Sequence, residues 1–243
     1  MEFKREELLI CAIARMLEGC KNIAVGAASP IPGSAALLVQ AITGGGARAS
    51  ILGSNVHNPF NDGGPELFDR AGQGRVDAFF LGGGQIDGEG NINLVSTGPY
   101  NEPDTRFPGS FGSAYLYFTV PRVILFREEH SRRVFVDRVD FISAPGWSPP
   151  GIHRPGGPLA LITSLCIFVY DRRNHRFRLD GLLPGATLEE VRDNTGFDFD
   201  CHGTVGSIAG PEPERVDLIR SRIAGEIAET YPEFAQSRLG WKG

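Results

Sequence analysis

The sequence predicts an α/β fold: an open, mainly parallel sheet with flanking helices, doubly wound. Three observations predict it. Short apolar runs alternate with stretches of helical periodicity from Glu6 to Leu81, the pattern of βαβ units. Three predicted strands end in glycine, at Gly26, Gly53 and Gly82. Their loops are expected along one sheet edge, where open sheets bind ligands. Ala160 to Tyr170 is the most continuous apolar run and reads as a central strand.

The elements follow in order. Leu8, Leu9, Ala12, Ile13, Met16 and Leu17 share one face of a helix over 6–18, with Gly19 as its stop. Asn22–Gly26 is a short strand. Pro30–Ser34 reads as a loop, Ser34 as an N-cap, and Ala35–Ile42 as a second helix. Ala49–Leu52 is a strand running into Gly53-Ser54-Asn55. A turn-rich stretch over 56–74 holds one helical piece, Glu66–Arg70. Val76–Leu81 is a strand. Beyond it come an apolar stretch over 114–120, a strand Arg122–Arg127 and a partly alternating run Arg132–Ile142. Arg172–Asp180 is the second arm of a hairpin. Thr187 and Glu190 form a capping box for a helix Leu188–Asp193. A last helix is expected over 213–230. The whole reads as one domain over 1–243, with a helical tail from about residue 211.

Composition narrows the function. The 243 residues are 41% hydrophobic and 22% charged, with a net charge of −5, which suits a globular protein. No basic stripe favours nucleic acid, and no apolar run approaches a membrane span. A cytoplasmic protein is expected, with neither nucleic acid nor membrane as partner. Cys11, Cys20, Cys166 and Cys201 are scattered, and the five histidines are dispersed, so no metal site is expected. Cys201-His202 is the one adjacent pair with nucleophile chemistry.

Leu81-Gly-Gly-Gly-Gln-Ile-Asp-Gly-Glu-Gly-Asn-Ile-Asn93 is the most informative stretch. A strand ends in three glycines, which allow positive φ or close approach, and Gln85, Asp87, Asn91 and Asn93 follow. Two readings stand: a ligand-facing sheet edge, or a tight turn at Asp87-Gly88.

Several stretches together resemble family I coenzyme A transferases. Leu183-Pro-Gly-Ala-Thr-Leu-Glu-Glu-Val-Arg-Asp-Asn-Thr-Gly-Phe197 is similar to their carboxy-terminal signature, and the Leu81–Asn93 stretch to the glycine-rich segment of their β subunits. Val139-Asp-Phe-Ile-Ser-Ala-Pro-Gly146 and Leu161-Ile-Thr-Ser-Leu-Cys-Ile-Phe168 match in the same order. The glutaconate CoA-transferase β-subunit type fits best. The resemblance implies a CoA-transferase-like fold, a separate α subunit and an acyl-CoA substrate. Coenzyme A then enters as part of the substrate, with no bound cofactor. It also implies a β-subunit glutamate that attacks the acyl-CoA carbonyl and gives first an anhydride, then a glutamyl-CoA thioester.

That glutamate is expected just after the strand Ala49–Leu52, where the sequence has Ser54 and Asn55. Asp62 and Glu66 are the nearest acids downstream, and His57 is the nearest proton carrier. Phe111 follows Gly109-Ser110 where the family has small residues. A related group, the ring-opening acyl-CoA hydrolases, keeps its working glutamate in the α subunit. In that frame Gly83, Gly84 and Gln85 would polarise a carbonyl oxygen, with Asp87, Asn91 and Ser110 lining the substrate. Arg48, Arg106 and Arg154 are candidates for the CoA phosphates. A non-catalytic, stabilising subunit is the third reading.

Overall fold

The computed structural model describes residues 2–243 except 202 and 204. The chain forms two compact units, one running to Phe80 and resuming at Ala209–Gly243, the other Leu81–Ile208. The expected helical tail therefore belongs to the first unit.

In the first unit, β1 (Asn22–Val25) pairs in parallel with β2 (Arg48–Ile51) on one side and β3 (Ala78–Leu81) on the other. The loops after β1 and β2 thus leave from the same edge. Helix α1 (Arg5–Met16) ends near Gly19, which takes φ +80°. Helix α2 begins earlier than the periodicity suggests, at Pro30, and runs to Ile42. The reason is that first-turn N–H groups have no helical acceptor, so Pro30 and Pro32 sacrifice little there. Gly33 keeps α2 close to its neighbours: a Cβ would stand 3.0 Å from Ile227 and 3.5 Å from Ile51. Helix α3 (Gly64–Gly72) precedes β3.

The chain returns to this unit as α6 (Pro213–Leu218), a wide π turn at Ile219–Ile223, α7 (Ala224–Ala228), α8 (Pro232–Phe234) and a second π turn. These helices are fastened to α1 by charge. Glu7, fully buried, receives Arg220 Nε at 2.6 Å and the Lys4 backbone N–H at 2.7 Å. Arg238 reaches Glu6 at 2.9 Å. A buried carboxylate is tolerable only with such partners.

The second unit holds a four-stranded mixed sheet. β8 (Arg122–Arg127) runs parallel to β9 (Pro158–Thr163), which is antiparallel to β10 (Cys166–Asp171), itself antiparallel to β11 (Arg176–Leu182). The apolar run over 160–170 is therefore two strands, not one. Thr163 breaks it, because its Oγ1 accepts the Leu165 and Cys166 N–H groups at 3.1 Å each and turns the chain. Two small hairpins, β4–β5 (Gln85–Ile86 with Ile92–Asn93) and β6–β7 (Ser96–Thr97 with Thr105–Arg106), precede helix α4 (Ser113–Thr119). The alternating run at 132–142 makes no full strand. It touches the first hairpin through a bridge from Ile86 to Phe135, while Ile92 bridges Ala144 just beyond it.

The fold class is as the sequence predicts: a mainly parallel α/β arrangement with flanking helices. Among the described residues no helix is long and apolar enough to cross a membrane. Helix α5 (Leu188–Asn194) is capped as expected, with Thr187 Oγ1 accepting the Glu190 N–H at 3.1 Å. Thr187→Ala should cost about 1 kcal/mol, the usual worth of such a cap, read as a shift in the urea midpoint at unchanged slope.

Candidate functional site

Each unit carries one group of the residues that the sequence singles out. In the first unit they lie in the loop after β2. Gly53 takes φ +91° and turns the chain, and Ser54 is buried to 5% exposure. Ser54 Oγ accepts the Val56 and His57 N–H groups at 3.1 and 2.8 Å, so its side chain organises the loop. It donates its own proton to Glu229 Oε2 at 2.6 Å.

Glu229 is the residue that the sequence does not disclose. It follows α7, 175 residues after Ser54, and places a carboxylate against the loop where the expected glutamate is missing. Asn55 donates its backbone N–H at 2.7 Å and its side-chain amide at 3.1 Å to Oε1, and Thr230 Oγ1 donates to Oε2 at 2.7 Å. Burial pushes the acid up. The hydrogen bonds from Ser54, Asn55 and Thr230 outweigh it and hold the carboxyl at about 2. Four donors on two oxygens leave the carboxylate clasped and weakly basic.

His57 lies beside this clasp. Its carbonyl accepts the Ile51 N–H at 2.9 Å, and with Arg48 and Gln40 it lines a recess of about 290 Å³. Glu66 is engaged elsewhere: Arg70 bonds it at 2.9 Å and the Asn61 N–H at 3.0 Å, and these bonds hold it below the usual carboxylate range.

In the second unit the glycine-rich stretch closes on itself. None of Gly82, Gly83 and Gly84 takes positive φ. Close approach is what the glycines permit: a Cβ on Gly84 would overlap the Phe107 ring, and one on Gly83 would stand 2.7 Å from the Gln85 carbonyl. The Gly84 N–H donates to the Asn93 carbonyl at 2.9 Å, closing the β4–β5 hairpin. The expected oxyanion role of that N–H is therefore revised, since its hydrogen is already used within the hairpin.

The polar side chains face one another. Gln85 donates to Asp140 at 3.0 Å, and its Oε1 accepts from Asn93 at 2.7 Å and from the Asp140 N–H at 3.0 Å. Asp87 accepts the Glu89 and Asn91 N–H groups on Oδ1, and the Asn91 amide and Val139 N–H on Oδ2. Asn91 Oδ1 accepts the Gly146 N–H at 3.1 Å. These residues lock the hairpin to the 139–146 segment. Their outer rim opens on a cleft of about 660 Å³, shared with Glu89, Arg138, His175 and Asp198.

Ser110 is half-buried, and its carbonyl caps α4 by accepting the Ser113 N–H at 2.8 Å. Arg106 lies 5.7 Å from the Tyr100 ring, compatible with cation–π attraction. Arg154 is consumed by the Tyr117, Pro145 and Gly156 carbonyls, which removes it from the phosphate candidates. Of the Cys201-His202 pair, His202 lies outside the described residues. Among the described residues no cluster of His, Cys, Asp or Glu could hold a metal.

Comparison with known proteins gives a consistent set of likenesses. The family model for coenzyme A transferase matches residues 7–194. The β subunit of the glutaconate CoA-transferase from Acidaminococcus fermentans is 36% identical over 151 residues, 59% of this chain and 56% of that protein. The cholesterol ring-cleaving hydrolase IpdB subunit of Rhodococcus jostii is 31% identical over 179 residues, 72% of this chain and 67% of that one. The aligned part of the chain thus spans little more than half the length of the first of these relatives. The crystal structure of Rhodococcus jostii RHA1 IpdAB superposes with a TM-score of 0.80 at 26% identity, covering 91% of this chain and 94% of the other.

Proposed function

We propose a function from one premise: the chain belongs to the coenzyme A transferase family. It is the β-type subunit of a heteromeric enzyme that acts on an acyl-CoA thioester, and the reacting carboxylate comes from an α-type partner. Coenzyme A enters with the substrate.

One observation carries this reading. Where a β-subunit glutamate would attack the thioester, the chain has Ser54 and Asn55, both bonded to Glu229. A hydroxyl or amide cannot form the acyl–glutamyl anhydride. Glu229, with four donors and a carboxyl at about 2, is a poor nucleophile and a poor base. Glutamyl transfer through this chain is therefore disfavoured. Hydrolysis or carbon–carbon cleavage of the acyl-CoA, with the acid supplied in trans, is favoured. The likeness to a ring-cleaving hydrolase subunit over 72% of the chain supports the same direction.

The test is covalent trapping. The assembled complex is incubated with acyl-CoA esters, treated with hydroxylamine or borohydride, and mapped by mass spectrometry. The expected result is consumption of thioester without an acceptor acid, and no modified carboxylate on this chain. A modified Glu229, Asp62 or Glu66 would overturn the reading in favour of transfer. A complex that consumes no CoA ester would make this chain a stabilising subunit instead.

A further inference from the structure

We infer that the recess beside β2 is a binding site for a phosphoryl group. The chemistry of its lining carries the inference. Gln40, Arg48, His57 and Asn58 line a space of about 290 Å³, and no aspartate or glutamate lines it, in a chain whose net charge is −5. β2 is an edge strand, so side chains and a loop, rather than another strand, cover this side of it.

Both amides are held with their donors free. Gln40 Oε1 accepts the Ala49 N–H at 2.9 Å, and Asn58 Oδ1 accepts the Phe60 N–H at 3.2 Å. A backbone N–H bonds only the oxygen end of an amide, so each NH₂ is left for another acceptor. Among the described residues no ion pair engages Arg48 and no side chain bonds the His57 ring. The guanidinium presents paired N–H groups that match phosphate oxygens, and the imidazole supplies an N–H in either tautomer.

The acceptors nearby are spent. The carbonyls that end α2, at Val39, Gln40 and Ala41, take the N–H groups of Thr43, Gly45 and Gly44 at 3.0, 3.0 and 3.1 Å. Glu229, the carboxylate that holds this loop, divides its oxygens among Ser54, Asn55 and Thr230. The loop is also fixed before any ligand arrives: Ser54 Oγ accepts the His57 N–H at 2.8 Å, and the His57 carbonyl accepts the Ile51 N–H at 2.9 Å. Donors placed in advance cost little to order on binding. A phosphoryl group brings three acceptor oxygens to these side chains, where a carboxylate brings two. Whole small molecules occupy pockets of about 300–1,000 Å³, so a recess at the foot of that range suits the phosphoryl end of a molecule or free phosphate.

The experiment titrates the assembled complex with inorganic phosphate, CoA and dephospho-CoA by calorimetry, with ionic strength held constant by chloride. Arg48→Met and Gln40→Glu should each weaken phosphate binding about tenfold or more, and Arg48→Lys should recover part of the loss. Gln40→Glu keeps the oxygen that Ala49 uses and replaces only the NH₂ with charge, so its unfolding midpoint should match the wild type. Competition between phosphate and CoA, with dephospho-CoA binding about tenfold more weakly than CoA, assigns the phosphoryl group to the substrate. Additive binding of phosphate and CoA assigns it to free phosphate. Affinities for phosphate and CoA that are unchanged in Arg48→Met and Gln40→Glu overturn the inference. So does a phosphate signal that equal chloride reproduces. The site stands or falls without turnover: a complex that consumes no CoA ester but binds phosphate through Arg48 loses the function proposed above and keeps this site.

Discussion

Asp87→Ala should destabilise the second unit by about 4 kcal/mol, more than a typical point substitution. Asp87 is 3% exposed, and its two oxygens accept four hydrogen bonds. Three of the donors are backbone N–H groups, at Glu89, Asn91 and Val139. Alanine leaves the Asn91 and Val139 N–H groups buried without an acceptor, while that of exposed Glu89 can turn to water, and each stranded buried group costs about 1–3 kcal/mol. Burial still raises the Asp87 carboxyl above its ordinary range despite these donors, so the site is one where solvent gives little help. Asp87→Asn should fall between wild type and alanine, because an amide keeps one accepting oxygen and turns an NH₂ toward the remaining donors. Urea unfolding followed by tryptophan fluorescence measures the effect, since Trp147 bonds Glu89 at 3.2 Å beside the network. A cost below 1 kcal/mol would show that the N–H groups find other acceptors and that Asp87 does not lock this hairpin.

The same network explains which parts of the protein were legible in the sequence. Elements set by local pattern are where the pattern puts them: β8 occupies Arg122–Arg127, and α5 starts at the Thr187 cap. Elements set by partners far along the chain were not legible. Gln85, Asp87, Asn91 and Asn93 look alike in sequence whether they face a ligand or one another. That they bond one another follows from the arrival of Asp140, Val139 and Gly146 from 50 or more positions away. Glu229 is the extreme case. Nothing around it distinguishes it from any exposed helix-end glutamate, yet it fills the loop at Ser54. The reading of 160–170 as one strand failed for a smaller reason: hydrophobicity does not reveal that one threonine hydroxyl can gather two N–H groups and fold the run into a hairpin. The resemblance directs attention to Ser54 and Asn55, but not to the carboxylate that both of them hold.

The sequence also treated His130 as one of five dispersed histidines, whereas the fold buries it and lowers its pKa. It is buried among Phe135, Phe168, Cys166 and two threonines. Thr195 Oγ1 gives its proton to the Val191 carbonyl at 2.7 Å, so it must accept from His130 Nε2 at 2.9 Å. Nδ1 is then the acceptor, facing Thr163 Oγ1 at 2.8 Å, whose one proton it shares with the Cys166 carbonyl at 3.1 Å. Thr163 Oγ1 already accepts two N–H groups, so it is poorly placed to accept a third from a protonated ring. Burial, with no carboxylate alongside, lowers the imidazole from 6.5 to about 4. The sign follows from proton counting. Between those two values the unfolded chain binds a proton that the folded chain refuses, so stability is complete above pH 6.5 and falls as the pH drops toward 4. The difference corresponds to about 3 kcal/mol. His130→Gln should unfold more easily at neutral pH, yet lose little further stability between pH 6.5 and 4. In the wild type, the imidazole resonances of His130 should stay at their neutral position down to about pH 5. A His130 that titrates near 6.5 would mean that the two threonines do not hold the neutral ring, and the acid sensitivity of this unit would then have to reside elsewhere.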